Sequence, residues 1–410
     1  MRMSKKKEIV PKFRFPEFQR DGIDFVHGNK LFKSITNKNH NSDLPILAIT
    51  QDQGAVPRDQ IEYNVTVTDK SLSNYKVVEV GDFIISLRSF QGGIEYSRFK
   101  GICSPAYIIL RKREENISEL YYKYFFKTWR YIQSLNRNLE GIRDGKMISY
   151  SQFSSVKVPY PRSFKEQQKI ADCLSSIDEL IDAENRKLKA LEKYKKGLMQ
   201  KLFPAEGKTL PEWRFPEFQG CGEWKSKSMG KACKMFSGGT PDTSKKEFYG
   251  GTIPFIRSAE INKSSTELFL TEEGFKNSSA KMVKKGDILI ALYGANSGEV
   301  ALSKIDGAIN QAILCLRHET NNAFVYHYFT HMKNRIISKY IQGCQGNLSG
   351  QIIKSVNLYF PKTEEQQKVA DCLSEIDTMI TAQSNRLEQL KTHKKGLMQG
   401  LFPSLEEADV

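Results

Sequence analysis

Apolar residues recur at steps of three and four along two stretches of the chain. In residues 165–204 they are Ile170, Leu174, Ile177, Ile181, Leu188, Leu191, Leu198 and Leu202. In residues 364–403 they are Val369, Leu373, Ile376, Ile380, Leu387, Leu390, Leu397 and Leu401. Only Glu184 and Lys195 interrupt the first series, and Gln383 and Lys394 the second. A stripe of that period predicts a helix with a heptad seam, which needs a partner helix to cover it, so these residues are assigned to helix pairing. Each stretch ends in Leu-Phe-Pro, where proline cannot continue the ladder. About 38 residues at a rise of about 1.5 Å make a rod of roughly 57 Å. Elsewhere the pattern is mixed. Short strand-like runs such as "LPILAI" alternate with amphipathic text such as "ISELYYKYFFKTWRYIQSL", which predicts α+β bodies.

The two rods are copies. At an offset of 199 residues, 24 of 40 positions are identical without a gap. Two fainter echoes accompany them: "PKFRFPEFQ" from Pro11 with "PEWRFPEFQ" from Pro211, and "VGDFIIS" from Val80 with "KGDILIA" from Lys285. The order leader, body, rod is therefore performed twice. The expected organisation is a first body over 1–164, a central spacer helix over 165–204, a second body over 205–363, a C-terminal spacer helix over 364–403 and a tail over 404–410.

Charge sets the direction of pairing. Residues 165–184 carry a net −4 and 185–204 a net +6; residues 364–383 carry −4 and 384–403 carry +3. Parallel rods would oppose acid to acid along the seam, whereas antiparallel rods oppose each acidic half to a basic one. The predicted fold is thus α+β, with two globular bodies joined by two long antiparallel helices that form a coiled coil, and a pseudo-twofold internal repeat. Antiparallel rods also place the leader at Pro11 where the leader at Pro211 follows the first rod.

The whole chain carries a net +15, yet the two rods sum to +2 and −1 and the tail to −3, leaving +17 on the remainder. A basic surface on the unlike parts points to a polyanionic partner. The seven cysteines contain no C-x-x-C pair, and no apolar run is long enough to cross a bilayer. No apolar run follows the basic start "MRMSKKKEIV" either, so the expected location is the reducing cytoplasm, away from membranes.

No catalytic or metal-binding set is expected. A phosphate loop of the form G-x-x-x-x-G-K-[ST] is absent, and Gly238-Gly239 runs into Thr-Pro-Asp instead of opening a helix. Asp242 has no later acid-x-Lys pair to complete a nuclease site. His327 and His331 stand four apart but lack a third ligand.

The chain resembles the specificity subunit of type I restriction-modification systems. The resemblance rests on "EQQKIADCLSSIDELI" and "KKGLMQKLFP" with their second copies, on "FSGGTP" from Phe236, and on "GIRDGKMISYSQFSSVKVPYP" from Gly141 with its looser counterpart "GNLSGQIIKSVNLYFP". It implies that each body is a target-recognition domain reading one half of a bipartite site in double-stranded DNA. It implies that the rods set the half-site spacing and dock two methyltransferase (modification) subunits, directing adenine methylation. A motor-nuclease (restriction) subunit would join for restriction. It further implies that this chain is non-catalytic and binds no cofactor, with S-adenosylmethionine, ATP and magnesium belonging to the partners.

Base readout calls for Arg, Lys, Asn, Gln or small hydroxyl groups on loops. In the first body the candidates are Gln51, Gln53 and Arg58 in "TQDQGAVPRDQ", Arg88, Ser89 and Gln91 in "LRSFQGG", and Arg143 and Lys146 in "GIRDGKMIS". In the second they are Ser237 and Thr240, then Arg257, Glu260 and Asn262, then Tyr293, Asn296 and Ser297, then Gln345 and Asn347. Lys245 and Lys246 are candidate phosphate anchors. Other readings left open are a structural adaptor that binds DNA without defined specificity, the recognition part of a methylation-only system, and a self-sufficient methyltransferase or nuclease.

Overall fold

The structure is a computed structural model that describes residues 10–61, 72–137, 148–294, 296–340 and 348–403. Arg143, Lys146, Gln345 and Asn347 lie outside the described residues. The chain divides into two compact units, residues 1–184 with 386–410 and residues 185–385, so each long helix contributes to both.

In the first unit, β1 (Ile23–His27) pairs antiparallel with β10 (Lys157–Pro161), joining the start of the body to its end. A four-stranded antiparallel sheet runs β2 (Phe32–Ile35), β9 (Ile108–Lys112), β6 (Phe83–Ile85), β7 (Glu95–Tyr96). Two further pairs are β3 (Leu47–Thr50) with β4 (Gly54–Pro57), and β5 (Lys76–Val78) with β8 (Gly101–Cys103). The second unit repeats the first two parts: β11 (Lys225–Ser228) pairs with β20 (Asn357–Phe360), and a sheet runs β12 (Cys233–Ser237), β19 (Ile313–His318), β16 (Ile288–Ala291), β17 (Val300–Leu302). Its remaining sheet differs, running β14 (Leu268–Leu270), β13 (Tyr249–Ile256), β18 (Gly307–Ile309), β15 (Lys281–Val283), with β13 and β18 parallel.

The first long helix spans Phe164–Leu202 and the second Thr363–Leu401. Their pairing is antiparallel. In the first unit Lys394 bonds Asp178 at 2.5 Å and Arg386 bonds Glu184 at 2.7 Å, so the partner number falls as the other rises. In the second unit Lys195 bonds Asp377 at 2.5 Å. Each of these joins an acidic half to a basic half, as the charge gradient predicts, and Lys195 and Lys394 are two of the residues that interrupt the seam. Partly exposed pairs of this kind contribute about 0–1 kcal/mol each, so burial of the leucines, at about 1.5–3 kcal/mol each, dominates. None of the assigned seam residues is exposed.

The seam serves more than pairing, however. Ile170, Leu174, Leu397 and Leu401 pack with Tyr121, Phe125 and Phe126 of the first body. Leu198, Leu202, Val369, Leu373 and Ile376 pack with Phe324 and Tyr328 of the second. The helix ends are therefore parts of the body cores. Glu184 and Gln383, polar residues in the apolar series, are also buried.

The echoes have physical explanations. Arg14 of the first leader donates two hydrogen bonds to the Glu166 carboxylate at 2.7 and 2.9 Å, and Arg214 of the second donates two to Glu365, both at 2.7 Å. Both glutamates are buried and open their long helices. The next residues, Gln167 and Gln366, donate to the carbonyls of Pro161 and Pro361 at the ends of the body strands. In "VGDFIIS" and "KGDILIA", Gly81 and Gly286 hold φ near +90°, a turn that favours glycine. The following aspartates, Asp82 and Asp287, are buried and accept paired bonds from Arg111 and Arg317. These pairs hold both guanidinium groups above their usual pKa. One predicted helix is broken: "ISELYYKYFFKTWRYIQSL" forms Glu119–Phe125 and Trp129–Arg137, separated at Phe126–Thr128.

Candidate nucleic-acid interface

In the first unit the β3–β4 turn and the segment after β6 lie against each other. A Cβ built on Gly92 would fall 2.7 Å from Gln51 Cγ, so the Gln51 side chain lies directly over this glycine. The Lys127 ammonium donates to Gln51 O at 3.1 Å, to Gly92 O at 3.0 Å and to Glu95 Oε1 at 2.5 Å. Burial pushes the Glu95 carboxyl up to about 7, against the pull of the Lys127 charge, and burial lowers Lys127. Asn136 donates to Phe90 O, fixing the second segment from behind. The exposed candidate side chains on these two segments are Gln51, Gln53, Arg88 and Gln91. Gln51 and Gln53 rim a cleft of about 600 Å³ that also meets Gln60, Arg98 and Lys123.

One sequence candidate of this unit does not join that group. Ser89 is 1% exposed, and its hydroxyl oxygen accepts the Ser86 amide at 2.9 Å, so it builds the turn and is closed to DNA. Arg58 begins the turn after β4.

In the second unit four strand ends converge. β13 and β18 run parallel with Ile256 opposite Ile309, so the segments beginning at Arg257 and Asn310 are neighbours. A Cβ on Gly238 would lie 1.7 Å from Ile309 O, and one on Gly239 1.8 Å from Ser279 Oγ. The Gly-Gly of "FSGGTP" is thus a close-approach device between strands. Thr240 Oγ1 donates to Gln311 Oε1 at 2.7 Å, and the Leu292 amide donates to Ala312 O at 2.8 Å, drawing the 292–298 segment to the same edge. Ser237 closes β12 beside this edge and Tyr293 is exposed on it, with Asn296 and Ser297 half-buried. The Ser297 hydroxyl donates to Leu292 O and shapes its own loop. Asn262, Lys245 and Lys246 are exposed on flanking segments.

Arg257 and Glu260 pair with each other in the structure. Arg257 donates to Glu260 at 3.0 and 3.1 Å and to Glu267 at 2.5 Å. These bonds raise the guanidinium further above its usual range. Glu260 is buried, with Thr266 and the Arg257 and Glu267 amides as further donors. Despite desolvation, the Arg257 bonds and these donors hold its carboxyl down at about 2. The pair braces the turn after β13, with Glu260 buried and the Arg257 side chain 39% exposed.

The sequence reading missed Lys127, Gln311, Glu166 and Glu365. For the glutamates a signal existed: identical polar text, Glu-Gln-Gln, in both copies at a place where a solvated face would be free to differ. His327 and His331 pack into the second unit. His327 is buried with Nε2 3.1 Å from Ser374 Oγ, and burial drives its pKa down to about 3. His331 stacks on Phe203. Asp242 caps its own turn through Ser244, which keeps its carboxyl below the usual range. Among the described residues no three His, Cys, Asp or Glu side chains come together as a metal set, and no helix is long and apolar enough to cross a membrane.

Two like scaffolds that display unlike polar loops, each built onto the same pair of antiparallel helices, define a duplicated recognition protein. The chain belongs to the family of the type I restriction modification DNA specificity domain, whose pattern matches twice, over residues 21–193 and 222–392. It is similar to a putative type I restriction enzyme MjaX specificity subunit of Methanocaldococcus jannaschii, 26% identical over 302 residues that cover 71% of this chain and 69% of that one. The MjaVIII specificity subunit of the same organism is 23% identical over 352 residues, 82% of this chain and 80% of the relative. The fold matches a crystal structure of a type I restriction-modification S subunit from M. genitalium with a TM-score of 0.62 at 16% identity, covering 97% of this chain and 100% of that one. A chain from a structural study of assembly and conformational transition in the type I R-M system matches with a TM-score of 0.58 at 15% identity, covering 93% and 98%.

Proposed function

We propose that this chain is the DNA-reading subunit of a type I restriction-modification complex, with each body contacting one half of a bipartite duplex site. The carrying observation is the contrast between repeated scaffold and unrepeated loops. Leader, helix ends and the four-stranded sheet recur in both units, while among the described residues the loops differ, with Gln51, Gln53, Arg88 and Gln91 in one unit and Thr240, Gln311, Tyr293 and Asn296 in the other. Such donors and acceptors suit base edges in the major groove, and the excess positive charge of the bodies suits phosphates.

In this reading the paired helices set the distance between half-sites and dock two methyltransferase subunits. The chain itself carries no catalysis. S-adenosylmethionine serves the methyltransferase, and ATP with magnesium serves the motor-nuclease subunit that adds restriction. The test is sequence mapping of methylated adenines after the chain and its methyltransferase act on a random duplex library. The expected product is one motif of two defined half-sites separated by unspecified bases. Uniform methylation, or labelling of DNA by this chain alone with S-adenosylmethionine, overturns the reading.

A further inference from the structure

The arrangement around Lys127 has a consequence for specificity. An ammonium has three donors, and here each meets an acceptor: the backbone carbonyls of Gln51 and Gly92, and the Glu95 carboxylate. The two carbonyls belong to the two different segments that carry the candidate readers of the first unit. Glu95 is 2% exposed and Lys127 about a quarter exposed, and both line the cleft that Gln51 and Gln53 rim. Lys127 sits in the break between the helices Glu119–Phe125 and Trp129–Arg137, where the chain leaves helical geometry and the side chain can reach both segments. In the second unit Lys333 bonds the exposed Glu299, a surface pair.

We propose that Lys127 is a positioning residue for DNA specificity, holding the 50–54 and 88–93 segments in one fixed register so that Gln51, Gln53, Arg88 and Gln91 read a single half-site as a unit. The inference rests on the proposed function of those segments. Lys127 touches no base; it acts through the two carbonyls. Loss of the clamp therefore blurs several base positions of one half-site together and leaves the other half-site intact.

The experiment uses the full chain with its methyltransferase on a random duplex library, with methylated duplexes captured and sequenced. Variants are K127M, K127R, the double variant E95Q/K127M and the reader variants Q51A and Q91A. The double variant removes both charges together, so it leaves no bare buried carboxylate and keeps the test valid should K127M unfold. Amide hydrogen exchange over residues 50–54 and 88–93 is measured on the same proteins without DNA.

In K127M and E95Q/K127M, exchange should quicken in both segments. Discrimination at the half-site that Q51A and Q91A identify should fall about tenfold or more, with the other half-site within about twofold of the unmodified chain. K127R, which keeps a charged donor group, should restore most of it. Unchanged exchange in both clamp variants overturns the proposal. Quickened exchange with both half-sites still sharp also overturns it, while effects of Q51A and Q91A in the same assay keep the reading of the loops standing. If Q51A and Q91A leave both half-sites unchanged, the loop reading falls and takes the clamp's role with it.

Discussion

At the scale of single residues, polar side chains that look alike in the sequence have opposite fates. Arg88 caps a turn and is exposed, whereas Arg257 is consumed by Glu260 and Glu267. The latter pair makes stability depend on pH in a testable way. Glu260 has a folded pKa of about 2, below the ordinary 4.5, so its stabilisation is fully present above pH 4.5 and is lost as pH falls toward 2. E260Q should therefore destabilise the chain at pH 7 by about 2–3 kcal/mol. The gap to the unmodified chain should close progressively below pH 4.5. Urea unfolding of both proteins across pH 7 to 3 measures this. A gap that stays constant over that range would show that the carboxylate charge contributes nothing.

At the scale of elements, the leader and the long helix behave as one device. Arg14 is 6% and Glu166 0% exposed at the side chain, and their paired bonds tie residues 152 apart in sequence. Removing one partner leaves a buried charge bare, which costs about 3–5 kcal/mol. R14Q and E166Q should each destabilise the first unit by about that much, and the double variant by clearly less than the sum. Additive losses in thermal or urea unfolding would show that the two side chains are independent. This level also marks what was legible in the sequence. The rods and their direction could be read because leucine period and charge gradient are local properties that the pairing itself uses. The division of labour within the rods could not, since Ile170 and Leu198 carry the same heptad signal whether a helix or a body core covers them. The candidate loops were legible as polar text between strands. Which of their residues face outward was not, because Ser89 is buried by the sheet it follows and Arg257 is held by an acid ten residues away. Lys127 gave no local signal at all, as its three acceptors come from distant strands and turns.

At the scale of the whole molecule, the reading that the paired helices set the half-site spacing makes a geometric prediction. The Glu184–Arg386 bond identifies places that face each other in the antiparallel pair. Inserting seven residues after Glu184 and seven after Asn385 adds two turns to each helix, so the apolar seam returns to the same face and pairing survives. Each helix lengthens by about 10.5 Å. At about 3.4 Å per base step this is an increase of at most about three base pairs along a duplex parallel to the helices. Both half-site sequences should persist, since neither set of reading loops is touched, while methylation at the original spacing should be lost and any new motif should have a longer spacer. Insertion into one helix alone should instead shift one seam against the other, oppose either Asp178 or Asp377 to a new neighbour, and reduce methylation at every spacing. The readout is methylated-adenine mapping on a random library, with circular dichroism and thermal unfolding to establish that the inserted helices form. A correctly folded double insertion that still methylates at the original spacing would show that the separation of the readers is set by something other than these helices.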